Sequence, residues 1–444
     1  MALTRRNWLV AAGAASLPMA APATALAAET EASAQTRGPP EPSSVALLSK
    51  ESFPAIKNKT YMNCAAIHPV SEGSIRLAEK AALAEFDRKP GDFFPDGDRV
   101  ISHFAALINA APEEVEFVPS TSVGESFIAA ALGLPQPGAH VISDVLHYDG
   151  AQMMYLEMQK RGVEVTFIPM SQDGKIPLEE YERQIRPGKT KLIALSATSM
   201  LNGFTQDLKS LCQIARTRDI FVHADMIQTI GNTPVDVKAM GVDSACAGTY
   251  KWLMARGTAF LYVNAASMHK LAPPFYHISN YDFPLPHETP STKMSWPDTH
   301  MYPYDTPGKQ IVDNYVPKKG ARGMFSLGYE PNLSTLAGLE YSLPYLEQVG
   351  LERLRAHRKP MIERLKEQLP RKGYRLLTPA DSESPIVTVA VRDAGRLDPF
   401  FERANVKVTT RWNHVRISVS LFNDMEDVER VLAAFPMSDR PSLM

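Results

Sequence analysis

The feature that most constrains this chain is a repeated alternation of short, almost wholly apolar runs with helical stretches, starting near residue 115. Val115-Glu116-Phe117-Val118, His140 to Val145, Val163 to Ile168, Lys191 to Leu195 and Ile220 to His223 read as strands. Helical patterns fill the gaps, among them Glu125 to Leu134, Gly150 to Arg161 and a stretch over 207–216 with Asp207 placed to cap it. Strands with no polar alternation have no wet face, so they imply a mainly parallel sheet sandwiched by helices. In such a sheet, ligands bind beyond the carboxyl ends of the strands. Polar residues just past those ends are therefore the candidates for chemistry.

The 444 residues predict two or three domains around this core. Residues 1–27 read as an export address: Arg5-Arg6 precede Trp8 and Leu9, an Ala-rich stretch follows, and Ala25-Leu26-Ala27 forms a small-x-small cleavage signal. Ala, Gly13, Pro18 and Pro22 stand where a spanning helix needs Leu, Ile and Phe, so the reading is a cleaved twin-arginine signal rather than a membrane anchor. A periplasmic location, reached through the twin-arginine export machinery and without an anchor in the mature form, is the expectation. Residues 28–45 look like a linker. The sequence then divides into an N-terminal segment of a small domain (46–75), a large domain (76–330) and a C-terminal small α/β domain (331–440). Within the large domain, residues 271–319 are dense in Pro, His and aromatics and lack a period, which predicts an ordered lid or interface loop.

Charge narrows the partners. With 47 Lys plus Arg against 49 Asp plus Glu, there is no electrostatic case for nucleic acid. Cys64, Cys212 and Cys246 include no CxxC pair, so neither a disulfide framework nor a metal site is expected.

The richest segment follows the strand at 220–223. Asp225 and Gln228 stand three apart, and Lys251 follows 26 positions after Asp225, beyond a second apolar run with Thr249 just before it. Pyridoxal phosphate uses such a set: a lysine for the Schiff base, a carboxylate to keep the pyridine nitrogen protonated, and an amide for the ring phenolate. Apolar neighbours Trp252 and Leu253 and the run Ala259 to Val263 would help Lys251 lose its proton.

As an ordered set, these motifs resemble the class V aminotransferase family, pyridoxal-phosphate enzymes of fold type I that include cysteine desulfurases and isopenicillin-N-epimerase-like enzymes. The Gly248-Thr249-Tyr250-Lys251-Trp252-Leu253 run, followed by Gly257 to Val263, looks like the family's lysine motif. The resemblance spans about residues 61 to 434. It implies that Lys251 forms the aldimine, that Asp225 pairs with the pyridine nitrogen, and that Gln228 pairs with the phenolate oxygen. Thr121, Ser122 and Val123 match the phosphate loop, and Thr249 adds a hydroxyl to the same phosphate; a helix N-terminus suits that anion. His147 takes the place of the aromatic stacked on the ring, with Tyr148 as the alternative. Arg416 is the anchor for a substrate carboxylate, and Arg411 is either a second anchor or a solvated arginine.

The pattern also departs from the family. No cysteine follows Cys246, so the mobile-loop nucleophile of a desulfurase is missing. Ser199-Met200 and Gly328-Tyr329 stand where relatives often carry Ser-Asn and Gly-Thr, pointing to an unusual substrate pocket. The expectation is an exported, homodimeric enzyme acting at Cα of an amine, amino acid or peptide, by transamination or epimerisation. A lyase or oxygen-dependent decarboxylase tailoring a peptidic metabolite, and a non-catalytic binding protein on the same fold, stay open as alternatives.

Overall fold

The computed structural model describes residues 45–85, 89, 92–282 and 316–437. The segments expected to be an export signal (1–27) and, for the most part, a linker (28–45) lie outside them, as does the middle of the 271–319 segment. Seven strands form the central sheet: β1 (Val115–Val118), β2 (His140–Asp144), β3 (Glu164–Ile168), β4 (Thr190–Ser196), β5 (Phe221–Asp225), β6 (Ser244–Gly248) and β7 (Ala259–Val263), in the order β1-β7-β6-β5-β4-β2-β3. Every residue of β1, β2, β5, β6 and β7 is buried, the polar Glu116, His140, Ser143, Asp144, His223, Asp225 and Ser244 included.

One strand breaks the parallel rule. β7 runs antiparallel to both neighbours, β6 and β1. The connection from β6 to β7 explains it: only residues 249–258 intervene, and they contain no helix. A parallel return needs a crossover of roughly a dozen residues or more, usually helical. The chain therefore doubles back, and the turn carries Lys251.

Helices cover the sheet. The ones relevant to the site are α1 (Glu72–Ala84), α2 (Gly97–Leu107), α3 (Thr121–Ala131), α4 (Asp149–Gln159), α5 (Leu178–Gln184) and α6 (Leu208–Arg216). Asp207 caps α6 by accepting from the Ser210 amide at 3.1 Å, as its position in the sequence suggested. α1 and α2 pack against a later helix, α7 (Leu333–Val349). α8 (Leu351–Arg371) follows and buries Leu351, Leu354, Arg358, Met361, Ile362, Leu365 and Leu369 along one stripe.

A second core lies between α8, a four-stranded antiparallel sheet and α9 (Met425–Ala434). That sheet consists of β8 (Arg375–Leu376), β9 (Ile386–Ala390), β10 (Thr409–Arg411) and β11 (His414–Ser418), in the order β8-β9-β11-β10. The segment around Thr60 joins it: Thr60–Tyr61 pairs in parallel with Val406–Lys407, and the Ser418 amide donates to the Met62 carbonyl at 2.8 Å. Tyr281–Asp282 pairs antiparallel with Val316–Pro317. No helix among the described residues is long and apolar enough to cross a membrane.

Candidate active site

Five strand ends converge on one cleft of about 170 Å3. β1 leads into Ser120, Thr121 and Ser122, β2 into Tyr148, and β4 contributes Ser196 and then Met200. β5 brings Asp225, Ile227 and Gln228, and β6 brings Tyr250 and Lys251. The cleft thus occupies the carboxyl ends of the parallel strands, where backbone groups and loop side chains are free to meet a ligand.

Each predicted residue has a definite place. Ser120 caps α3, its hydroxyl accepting from the Val123 amide at 3.2 Å. Thr121 and Ser122 therefore form the first turn of α3 at the cleft, where unpaired amides and the helix dipole favour an anion. Val123 is partly buried behind them, and Thr249 is fully buried, its hydroxyl donating to the Thr258 carbonyl at 3.0 Å. Neither lines the cleft.

Lys251 is 6% exposed and forms no salt bridge among the described residues; its ammonium sits 5.6 Å from the centre of the Tyr250 ring. Burial pushes its pKa down to about 8, Asp225 pulls the other way, and Arg416 adds to the depression. Burial pushes the Asp225 carboxyl up, opposed by Lys251 and His147, while one carboxylate oxygen accepts from the Ile227 amide at 2.9 Å. Gln228 is held at both ends, donating to the Ala65 carbonyl at 2.9 Å and accepting from the Trp252 indole at 3.0 Å. Its amide nitrogen keeps a second hydrogen.

His147 does not line the cleft. Its side chain has no exposed surface, and both ring nitrogens are engaged, with Ser196 at 2.9 Å and Glu125 at 3.0 Å. The aromatic that lines the cleft at this turn is Tyr148, so of the two residues named for the stacking role, Tyr148 has the open ring.

Arg416, on β11, is 7% exposed and reaches across to the Met200 carbonyl (2.9 Å) and the Thr409 hydroxyl (3.2 Å), while its Nε has no partner among the described residues. Burial, then the neighbouring Arg411 charge, lowers its pKa to about 10. A buried guanidinium without a carboxylate partner is a receptor for an anionic group. Arg411 is far more exposed and lies 3.6 Å from Asp149 in a loose ion pair.

The three cysteines are all buried. Burial raises each thiol: Cys212 to about 12, and Cys64 and Cys246 further. None is a thiolate nucleophile at neutral pH.

Comparison with known proteins bears on this site directly. The family model described as aminotransferase class-V matches residues 98–294, the span from α2 through Lys251 and past β7. Over that span the chain is similar to class V aminotransferases. An uncharacterized aminotransferase of Bacillus subtilis is 27% identical over 335 residues, covering 74% of this chain and 80% of that protein. A cysteine desulfurase of Neisseria meningitidis is 30% identical over 220 residues, covering 47% of this chain and 54% of its own. The chain thus matches most of the first relative and about half the length of the desulfurase. Among solved structures, a cysteine desulfurase from Thermococcus onnurineus superposes with a TM-score of 0.72 at 17% identity, covering 88% of this chain and 97% of its own. At that identity the likeness establishes the fold, which is the fold-type I architecture.

Pyridoxal phosphate is the cofactor of this family, and the residues present fit it. They supply a helix N-terminus for a phosphate, a buried carboxylate on β5, an open aromatic ring and a buried lysine without a salt-bridge partner. Sequence reading did not assign roles to Ser120, Ser196, Ile227 and Tyr250. The signal for them was available, since each directly ends or follows a strand whose carboxyl end faces the site.

Proposed function

We propose that this class V enzyme acts at Cα of an amino-acid-like or peptidic amine, by transamination or epimerisation, and works as an exported homodimer. The observation that carries the chemistry is Lys251: buried, unpaired by any carboxylate within salt-bridge reach among the described residues, and brought to a pKa of about 8. An amine in that state is available both as nucleophile and as base near neutral pH. Pyridoxal phosphate, when bound, supplies an electron sink that acidifies the substrate Cα–H.

The chain's own residues supply the rest. Arg416 holds the substrate carboxylate through its guanidinium fork, which fixes the orientation of Cα in the cleft. Lys251 Nζ takes the Cα proton; reprotonation away from Cα gives transamination, whereas epimerisation needs a proton delivered to the opposite face of Cα by a second donor. Burial raises the Asp225 pKa, and Lys251 and His147 work against that rise. Trp252 and Leu253, both buried, exclude water from below the lysine. Persulfide chemistry of the desulfurase kind is not part of the proposal, because the three thiols are buried and held protonated. The periplasmic destination rests on Arg5-Arg6 and Ala25-Leu26-Ala27.

The test is the visible spectrum of the purified protein beside that of Lys251→Ala, with panels of L- and D-amino acids and short peptides. A yellow wild type that one substrate bleaches with release of a keto acid supports transamination. An unchanged spectrum with loss of chirality supports epimerisation. A wild type that takes up no pyridoxal phosphate refutes the reading.

A further inference from the structure

Behind the cleft wall lies a buried polar cluster that the mechanism above does not use. Glu125, on the second turn of α3, is 3% exposed. One of its carboxylate oxygens accepts from His147 Nε2 at 3.0 Å and from the Tyr155 hydroxyl at 2.7 Å. The other nitrogen of His147 lies 2.9 Å from the Ser196 hydroxyl, and Ser196 lines the cleft. In the parallel register of β4 and β5, Ser196 stands directly beside Asp225. A continuous chain therefore runs from Tyr155 through Glu125 and His147 to Ser196 at the site.

We propose that Glu125 is a positioning residue of the active site: it holds His147 as a buried imidazolium, whose Nδ1–H is given to Ser196 and whose charge supports the Asp225 carboxylate. The direction of the chain follows from donor and acceptor counting. A carboxylate only accepts, so Nε2 carries a hydrogen. With Nδ1 protonated as well, the ring donates to Ser196 Oγ, and the serine turns its own hydrogen toward the cleft. With Nδ1 bare, the serine spends that hydrogen on the ring and presents only lone pairs. The charge state of His147 thus sets whether Ser196 donates or accepts at the site wall.

The groups around His147 favour the charged ring. Glu125 on α3, Asp144 on β2 and Asp225 on β5 all act on it with negative charge; Tyr155 on α4 is a neutral donor to Glu125, and His223 on β5, whose own pKa burial lowers to about 4, is neutral at pH 7. Burial disfavours the imidazolium, yet the balance raises the His147 pKa, and Glu125, despite its own burial, is pulled down to about 2. Lys251 is the other cation acting on Asp225. When Lys251 gives up its charge in catalysis, His147 remains.

This inference rests on the proposed function for its meaning but is read on the apoprotein. The experiment is nitrogen NMR of ring-labelled histidines in apo wild type, Glu125→Gln and Tyr155→Phe, across about pH 5 to 9, followed by the pH dependence of the visible band of each holoenzyme. In wild type, both His147 nitrogens should stay protonated through pH 7. Glu125→Gln should lose the Nδ1 proton below pH 7 and shift the holoenzyme's spectral midpoint, while Tyr155→Phe, which keeps the charge, should retain the proton. A neutral His147 in wild type at pH 7 overturns the proposal even if Glu125→Gln does not fold. So does an equal loss in Tyr155→Phe, which would mark general loosening of the cluster. Failure to take up cofactor would refute the enzymatic reading and leave the apoprotein result standing.

Discussion

Replacing Arg416 with Met tests the carboxylate anchor, and its magnitude can be worked from the contacts. The guanidinium is 7% exposed and gives two of its five N–H groups to the Met200 carbonyl and the Thr409 hydroxyl, with Nε among those left without a partner among the described residues. A substrate carboxylate taking two charge-assisted bonds would gain about 3 to 6 kcal/mol from them, part of it offset by releasing Met200. A net loss of about 3 kcal/mol in Arg416→Met corresponds to roughly a 100-fold fall in kcat/KM. The assay compares each amino acid that wild type turns over with the matching amine that lacks the carboxylate. The ratio of the two should collapse in Arg416→Met, the amine changing only a few-fold. Removing this cation should also raise the pH at which Lys251 loses its proton, since Arg416 helps to depress it. Equal losses on acid and amine would show that Arg416 serves packing rather than recognition, and no loss on either would remove it from the site.

Lys251 itself should react with carbonyl and acylating reagents in the apoprotein with a midpoint near pH 8, because about one molecule in ten then carries the free amine at pH 7; a midpoint above pH 10 would mean that burial does not act as described. His68 is buried, with its ring nitrogens at 2.8 Å from the Pro69 carbonyl and the Ser420 hydroxyl, and burial lowers its pKa to about 4. The unfolded chain binds that proton near pH 6.5 and the folded one resists it, so stability present above about 6.5 should be lost progressively as pH falls toward 4. Thermal melts at pH 7 and 5 should show the loss, and His68→Gln should flatten it. Gly124 sits on α3 where an added Cβ would run into Cys246 Sγ. Gly124→Ala should cost about 1 to 3 kcal/mol in urea unfolding, and Cys246→Ala in the same background should recover most of it; no recovery would place the strain elsewhere.

Legibility of the fold in the sequence was greatest where the signal is local along the chain. The apolar runs marked the strands because a strand buried on both faces has no freedom to alternate, and β5 and β6 placed Asp225, Gln228 and Lys251 together through adjacency in one sheet. It was less complete where the decisive neighbour is remote. Nothing near residue 147 announces that Glu125 and Ser196 engage both nitrogens of its ring and leave Tyr148 to line the cleft. Likewise, α1 and α2 owe their burial to α7, more than 200 residues later.

The sequence by itself determined the alternation of strand and helix, the carboxyl-end location of the site and the order of its residues along the chain. These follow from local apolar pattern and the short reach of β–α turns. Tertiary structure alone decided that β7 runs antiparallel, that Arg416 is buried against Met200 with a donor to spare, and that Lys251 sits dry enough to lose its proton near pH 8. Burial and electrostatics are sums over neighbours from distant parts of the chain, and those neighbours exist only once the sheet and the second core have assembled.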